Sequence, residues 1–197
     1  MAKLIKPWGL LLITVLLPSL ALAHSGAGSS SGFAAGFMHP LGGLDHVAAM
    51  VAVGILGAFM GKPAIWVLPI TFPIVMAFGG VLGVLGVPVP GIEICIAISS
   101  IVLGIMILMG TKPPLPIAIA VVAAFAIFHG YAHGAELPNA ANPVAYSVGF
   151  VISTGLLHLA GIAFGELIRI PNGVKIVRAA GGVIAAMGGY FLAHTLT

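Results

Sequence analysis

The chain has 197 residues, of which 60% are hydrophobic and only 6% are charged, and its mean hydropathy is +1.24. A soluble domain carries about 25% charged residues, so this composition excludes a soluble globular protein and indicates an integral membrane protein. The formal charge of +3 does not indicate nucleic-acid binding, because the Lys and Arg residues sit at the N-terminus and in loops rather than along one stripe.

The N-terminus has the three parts of a secretory signal peptide. Two lysines lie within the first six residues, residues 8–20 are mostly apolar, and Ala21-Leu22-Ala23 has the small-x-small pattern of a cleavage site. We expect residues 1–23 to be removed, which would leave His24 at the head of a flexible outer arm, residues 24–34. The α-amine and imidazole of His24 could then capture a metal ion together. An uncleaved first helix is the alternative.

Six apolar runs follow the signal, each long enough for the roughly 20 residues that cross a bilayer. They end at Gly, Pro and Asn clusters, and none alternates like the strand of a barrel. The sequence therefore predicts an all-α, polytopic six-helix permease domain over residues 35–197. The predicted spans are 35–60, 64–86, 92–110, 115–136, 144–168 and 174–194.

The basic residues predict the orientation of these spans. Every Lys and Arg after the signal lies in or beside the first, third or fifth loop, and the second and fourth loops contain none. Cytoplasmic loops carry the excess of Lys and Arg, so the odd loops are predicted to be cytoplasmic. Both mature termini then lie outside, on the periplasmic side of a bacterial inner (plasma) membrane.

The fourth span carries a stripe of potential metal ligands. His129, His133 and Glu136 are spaced at i, i+4 and i+7, so they project from one face of a helix. Imidazoles four residues apart on a helix can chelate one ion. A carboxylate on the same stripe, in a chain with four acidic residues, strengthens this interpretation.

The first span carries a second set of such residues. His39 and His46 are seven residues apart, Asp45 adjoins His46, and Met50 follows one turn later. Paired glycines at 42–43 weaken a helix and predict a bend or loosened turn, as in the discontinuous helices of transporters. With the predicted orientation, both sets lie in the outer half of the membrane and can meet. Imidazole and carboxylate ligands suit a divalent transition metal.

Other polar residues in the spans permit two interpretations. His158 in the fifth span could be a ligand or could hydrogen-bond a neighbouring helix. Glu93 begins the third span, where the helix dipole favours a carboxylate without any further role. We treat His158, Glu93, Met50 and His24 as additional candidate pathway residues. Buried serines and threonines are interpreted as contacts between helices, and Cys95 as a packing residue.

At these residues the chain resembles the HupE/UreJ family of nickel and cobalt permeases. That family carries a His-x5-Asp-His motif in its first mature helix, matched by His39 and Asp45-His46, and a Phe-His-Gly-x-x-His-Gly-x-Glu motif in the fourth, matched from Phe128 to Glu136. The resemblance implies secondary transport of Ni²⁺ or Co²⁺ into the cytoplasm, with the metal as substrate and no permanently bound cofactor.

The sequence thus predicts a metal permease and not an enzyme, in a lipid bilayer, with no nucleotide or nucleic acid as partner. It leaves the oligomeric state open, and ligand type alone does not separate Ni²⁺ from Co²⁺ or Zn²⁺. Two alternatives remain at this point. One is a membrane b-type haem electron carrier, because paired histidines on facing helices also ligate haem. The other is an intramembrane metal-dependent enzyme with Glu136 as its base.

Overall fold

A computed structural model of the protein describes residues 29–135 and 142–197. The predicted signal peptide, His24 and Glu136 lie outside these residues. Across the described part the secondary structure is helical. The helices are α1 (Ser29–Gly42), α2 (Leu44–Met60), α3 (Ala64–Val84), α4 (Ile92–Met109), α5 (Leu115–Ala135), α6 (Pro143–Gly165), a 3₁₀ helix (Glu166–Arg169) and α7 (Gly173–Thr195). Helix α1 begins inside the predicted arm 24–34, so residues 29–34 of that arm are helical.

Five of these helical segments, α3 to α7 with the 3₁₀ turn continuing α6, are long and apolar enough to cross a membrane within the described chain. The remaining predicted span, the first (35–60), corresponds to a bent pair of helices, α1 and α2, whose axes differ by 82°. The all-helical, multi-pass class predicted from the sequence is confirmed. The first span is one crossing only if the bent pair is counted together.

The bend lies at Gly43, where the sequence predicted it. The backbone of Gly43 is extended (φ −106°, ψ 110°), and its carbonyl accepts a hydrogen bond from Val47 N–H at 3.0 Å as α2 begins. A Cβ atom at Gly43 would lie 2.8 Å from Asp45 Oδ1 and 3.1 Å from His46 Nδ1. Glycine at this position therefore allows the Asp45 and His46 side chains to fold back against the break.

Helix α2 is the centre of the bundle. Its residues from Ala48 to Phe59 are buried except Val51, and α3, α4, α6 and α7 all pack against it. Small residues allow close approach of backbones without bulky side chains between them. A Cβ atom at Gly54 of α2 would lie 2.2 Å from the His158 carbonyl oxygen of α6, and one at Gly130 of α5 would lie 1.9 Å from the Met76 carbonyl oxygen of α3.

These contacts also define how the helices run. Positions 79 and 83 of α3 lie against positions 127 and 131 of α5, so α3 and α5 are parallel, and α2 is parallel to α6 in the same way. Helices α4 and α7 are antiparallel, since position 104 lies against 181–185 and position 188 against 97–101.

One end of the bundle holds all the basic residues of the described chain, and we call it the basic end. Lys112 lies over the ring of Phe59 with its Nζ 5.3 Å from the centroid, and Arg178 donates from Nε to the Leu108 carbonyl oxygen at 2.6 Å. Arg169 pairs with Glu166 three residues earlier, as its spacing suggests. The break at Gly43 lies toward the other end, which we call the opposite end.

Candidate metal-binding site

Helix α5 places two buried histidines near the opposite end of the bundle. His129 is fully buried and His133 is 7% exposed. Their i, i+4 spacing puts both rings on one face, as the sequence predicted. Aromatic rings surround them: the Phe72 centroid is 5.5 Å from that of His129, and the Phe150 centroid is 4.5 Å from that of His133.

Helix α1 brings His39 into contact with His133. His39 Nε2 lies 3.0 Å from His133 Nδ1, within hydrogen-bonding distance, and the ring centroids are 4.9 Å apart. The ring of Tyr146 on α6 also contacts His39, at 5.7 Å between centroids. The first and fourth predicted spans therefore meet through their histidines.

His46 lies at the centre of the group, just after the break. Its ring centroid is 4.3 Å from that of His133 and 4.8 Å from that of His129. Asp45 accepts twice on Oδ1, from the His46 backbone N–H and from His46 Nδ1, each at 2.9 Å. Because a carboxylate oxygen accepts, Nδ1 carries a proton, and the neutral form of this ring has its lone pair on Nε2.

Ser99 of α4 holds His129 in a comparable way. The Ser99 hydroxyl donates to the Ile96 carbonyl at 2.6 Å, so its oxygen accepts from His129 Nε2 at 3.0 Å. The proton of His129 therefore lies on Nε2, which leaves the lone pair on Nδ1. The sequence predicts this serine only as a contact between helices. A hydroxyl near a histidine in space but 30 residues away along the chain gives no sequence signal.

Three nitrogens of this group have no hydrogen-bond partner among the described residues: His46 Nε2, His129 Nδ1 and His133 Nε2. A buried polar atom without a partner is costly, and ligating histidines commonly donate their other N–H to a carboxylate or similar acceptor. Metal-ligating histidines show such a donor pattern as well. Within residues 29–135 and 142–197, however, no three His, Cys, Asp or Glu side chains stand in metal-holding geometry. The contact of His39 with His133 occupies one nitrogen of each ring.

The additional candidate residues Met50, His158 and Glu93 lie outside this group. Met50 is fully buried, and its carbonyl lies 2.8 Å from His158 Nδ1. Glu93 is exposed in the first turn of α4, and no hydrogen bond joins it to a histidine of the described chain. The structure brings together His39, Asp45, His46, His129 and His133, and it does not bring Glu93 into that group.

A cleft of about 340 Å³ adjoins the group between α3, α5 and α6. His133 lines it together with apolar neighbours such as Met76, Tyr146 and Phe150.

Together the helices and the histidine group define a multi-pass membrane protein with buried and half-buried imidazoles and a half-buried carboxylate at one end of its bundle. The family described as HupE / UreJ protein matches residues 11–191, and the chain belongs to that family. The chain is 42% identical over 181 residues to Protein HupE of Rhizobium leguminosarum bv. viciae, which covers 92% of this chain and 94% of that protein. No solved structure matches the chain.

Proposed function

We propose that this protein is a permease that carries Ni²⁺ or Co²⁺ into the cytoplasm through its histidine group. The HupE/UreJ family is associated with nickel and cobalt uptake, and its members are generally transporters rather than enzymes. The metal is the transported substrate, and no resident cofactor is required. The proposed binding pathway consists of His39, Asp45, His46, His129 and His133, with Glu136 three residues after His133 in the sequence.

The observation that carries this proposal is that two ring nitrogens, His46 Nε2 and His129 Nδ1, present their lone pairs without a partner among the described residues. Each ring donates its N–H to a fixed acceptor and presents its other nitrogen without a partner among the described residues. The two rings are in contact, at 4.8 Å between centroids. Two preset imidazole donors beside a carboxylate suit a borderline divalent cation, and the Irving–Williams order favours Ni²⁺ over Co²⁺ at such ligands.

The orientation follows from the basic end. If the basic end faces the cytoplasm, the histidine group faces the outside of a bacterial inner membrane and receives ions from the periplasm. Removal of residues 1–23 would leave His24 as the N-terminus of the mature chain on that side. The intact mass of the purified protein measures whether the signal is removed.

Uptake of radiolabelled Ni²⁺ and Co²⁺ by cells with and without the gene tests the transport proposal. The His46→Ala, Asp45→Asn and His133→Ala variants are compared at matched abundance in the membrane. His194→Ala is the matched control, because that histidine is exposed near the end of α7 and stacks only on Tyr190 among the rings described. We expect the three site variants to lose most uptake and the control to retain it.

Two results would contradict the proposal. Absence of uptake of either metal by the unmodified protein would remove the transport function. Near-normal uptake in all three site variants would mean that these residues only stabilise the bundle.

A further inference from the structure

One buried histidine lies outside the proposed pathway. His158 of α6 is 2% exposed, and its Nδ1 lies 2.8 Å from the Met50 carbonyl oxygen of α2. A carbonyl only accepts, so Nδ1 carries the proton and the lone pair lies on Nε2. His158 Nε2 is buried and has no hydrogen-bond partner among the described residues. The hydrogen bond to Met50 alone therefore does not account for both nitrogens of this ring.

A second unpartnered polar atom lies one turn away on the same helix face. Thr154 is fully buried, and its hydroxyl has no partner within the described part of the chain. A threonine inside a helix commonly donates to the carbonyl three or four residues earlier, and Thr154 does not. Two orphaned polar atoms at i and i+4 in a membrane-spanning helix are costly unless something polar joins them.

The position of His158 continues the row of histidines. The Phe72 ring is fully buried, with its centroid 5.5 Å from that of His129 and 5.3 Å from that of His158. His129 lies six residues before α5 ends at the opposite end, and His158 lies seven residues before α6 ends at the basic end. The row therefore extends from the histidine group, past the Phe72 ring, toward the basic end.

We propose that His158 Nε2 and Thr154 Oγ1 form a second, inner binding site for the same divalent ion, which rests on the transport function proposed above. An ion that leaves His129 passes Phe72 and binds here before it is released at the basic end. Two protein donors are fewer than a structural metal site uses. Weak binding at such a site fits transit, since conduction requires an ion to leave as readily as it enters.

The kinetics of Ni²⁺ uptake test this site through Thr154→Val, which removes the hydroxyl and keeps the shape, and His158→Gln, whose amide can still donate to the Met50 carbonyl. We expect both variants to lower the maximal uptake rate about tenfold with an unchanged KM, because capture at His46 is intact. Thr154→Ser keeps the hydroxyl and should transport normally. Ser153→Ala, a buried neighbour in the same turn, is the matched control.

Equilibrium binding of Ni²⁺ alone to the purified protein supplies a second readout. In a His46→Ala background, the residual weak binding should disappear when Thr154→Val is added. Wild-type maximal uptake in Thr154→Val, or residual binding unaffected by it, would overturn the inner site and leave the pair joined by water only. A raised KM with an unchanged maximal rate would overturn it as well, since the pair would then act in capture.

If His46→Ala abolishes uptake and Thr154→Val does not, the inner site alone fails. If neither variant affects uptake, the pathway through the histidine group fails as well.

Discussion

Ser99 offers a sharp test of the histidine geometry, because it is neither a metal ligand nor part of a histidine motif. Its oxygen accepts the proton of His129 Nε2 at 3.0 Å, and its own proton goes to the Ile96 carbonyl. In Ser99→Ala, the His129 ring loses the acceptor that holds its lone pair on Nδ1. We predict weaker metal capture without loss of the fold.

The size of the effect follows from two independent arguments. A buried N–H left without an acceptor costs about 1–3 kcal/mol. Removing a group that orients a metal-ligating histidine typically lowers metal affinity by about 10–100-fold, which corresponds to about 1.4–2.8 kcal/mol. The first value is the expected loss of folding stability, and the second predicts that the KM for Ni²⁺ uptake rises by about one to two orders of magnitude.

The measurement is the concentration dependence of Ni²⁺ uptake at matched membrane abundance, with size-exclusion chromatography in detergent as a check on folding. Ser100→Ala is the matched control. Ser100 is equally buried, but its hydroxyl donates to the Asp45 backbone carbonyl over a long 3.4 Å, and among the described residues it forms no hydrogen bond with a ring nitrogen. We expect Ser100→Ala to raise KM less than Ser99→Ala. Equal KM values for Ser99→Ala and the wild-type protein would refute the assignment of the His129 tautomer.

Two further predictions concern the fold. Gly79→Ala should destabilise the protein by about 1–3 kcal/mol, because its Cβ atom would lie 2.2 Å from the Ile127 carbonyl oxygen. A Cβ atom at Gly155 would meet no atom within 4 Å, so Gly155→Ala should be neutral or slightly stabilising. Thermal unfolding in detergent measures the stability of both variants. In a Cys95→Ser background, Val87→Cys should react with an impermeant thiol reagent from outside the cell and Lys112→Cys should not, and the reverse pattern would invert the predicted topology.

Much of the fold was predictable because a bilayer permits few solutions. Apolar runs of about 20 residues and Gly or Pro breaks predict spans directly, and the observed bounds of α3 to α5 differ from the predicted ones by at most two residues. Which helices are neighbours was not predictable. The pairing of α3 with α5 depends on the fit of glycines such as Gly79 and Gly130 against carbonyls of the other helix, and glycine-rich faces exist on several helices.

The candidate site was predictable where its residues share a helix face. The spacing of His129 and His133 fixes their common direction, and the bend at Gly43 follows from paired glycines. The partners that set the tautomers were not predictable, because Ser99 reaches His129 and Met50 reaches His158 across helices. The contacts of the Phe72 ring with His129 and His158 were likewise not predictable, because Phe72 is one apolar residue within an apolar run.

The broken span explains how two histidines of one motif can contact the same side chain. In a straight helix, His39 and His46 would lie about 10.5 Å apart along the axis at 1.5 Å per residue. With the 82° bend between them, the rings of both contact the ring of His133, at 4.9 and 4.3 Å between centroids. The break also leaves Asp45 in the first turn of α2, where its carboxylate accepts from the backbone N–H and from the ring of His46 at the same time. Gly43 therefore converts a sequence spacing of seven residues into one compact group, and the metal chemistry proposed for this group depends on that backbone conformation as much as on the ligands themselves.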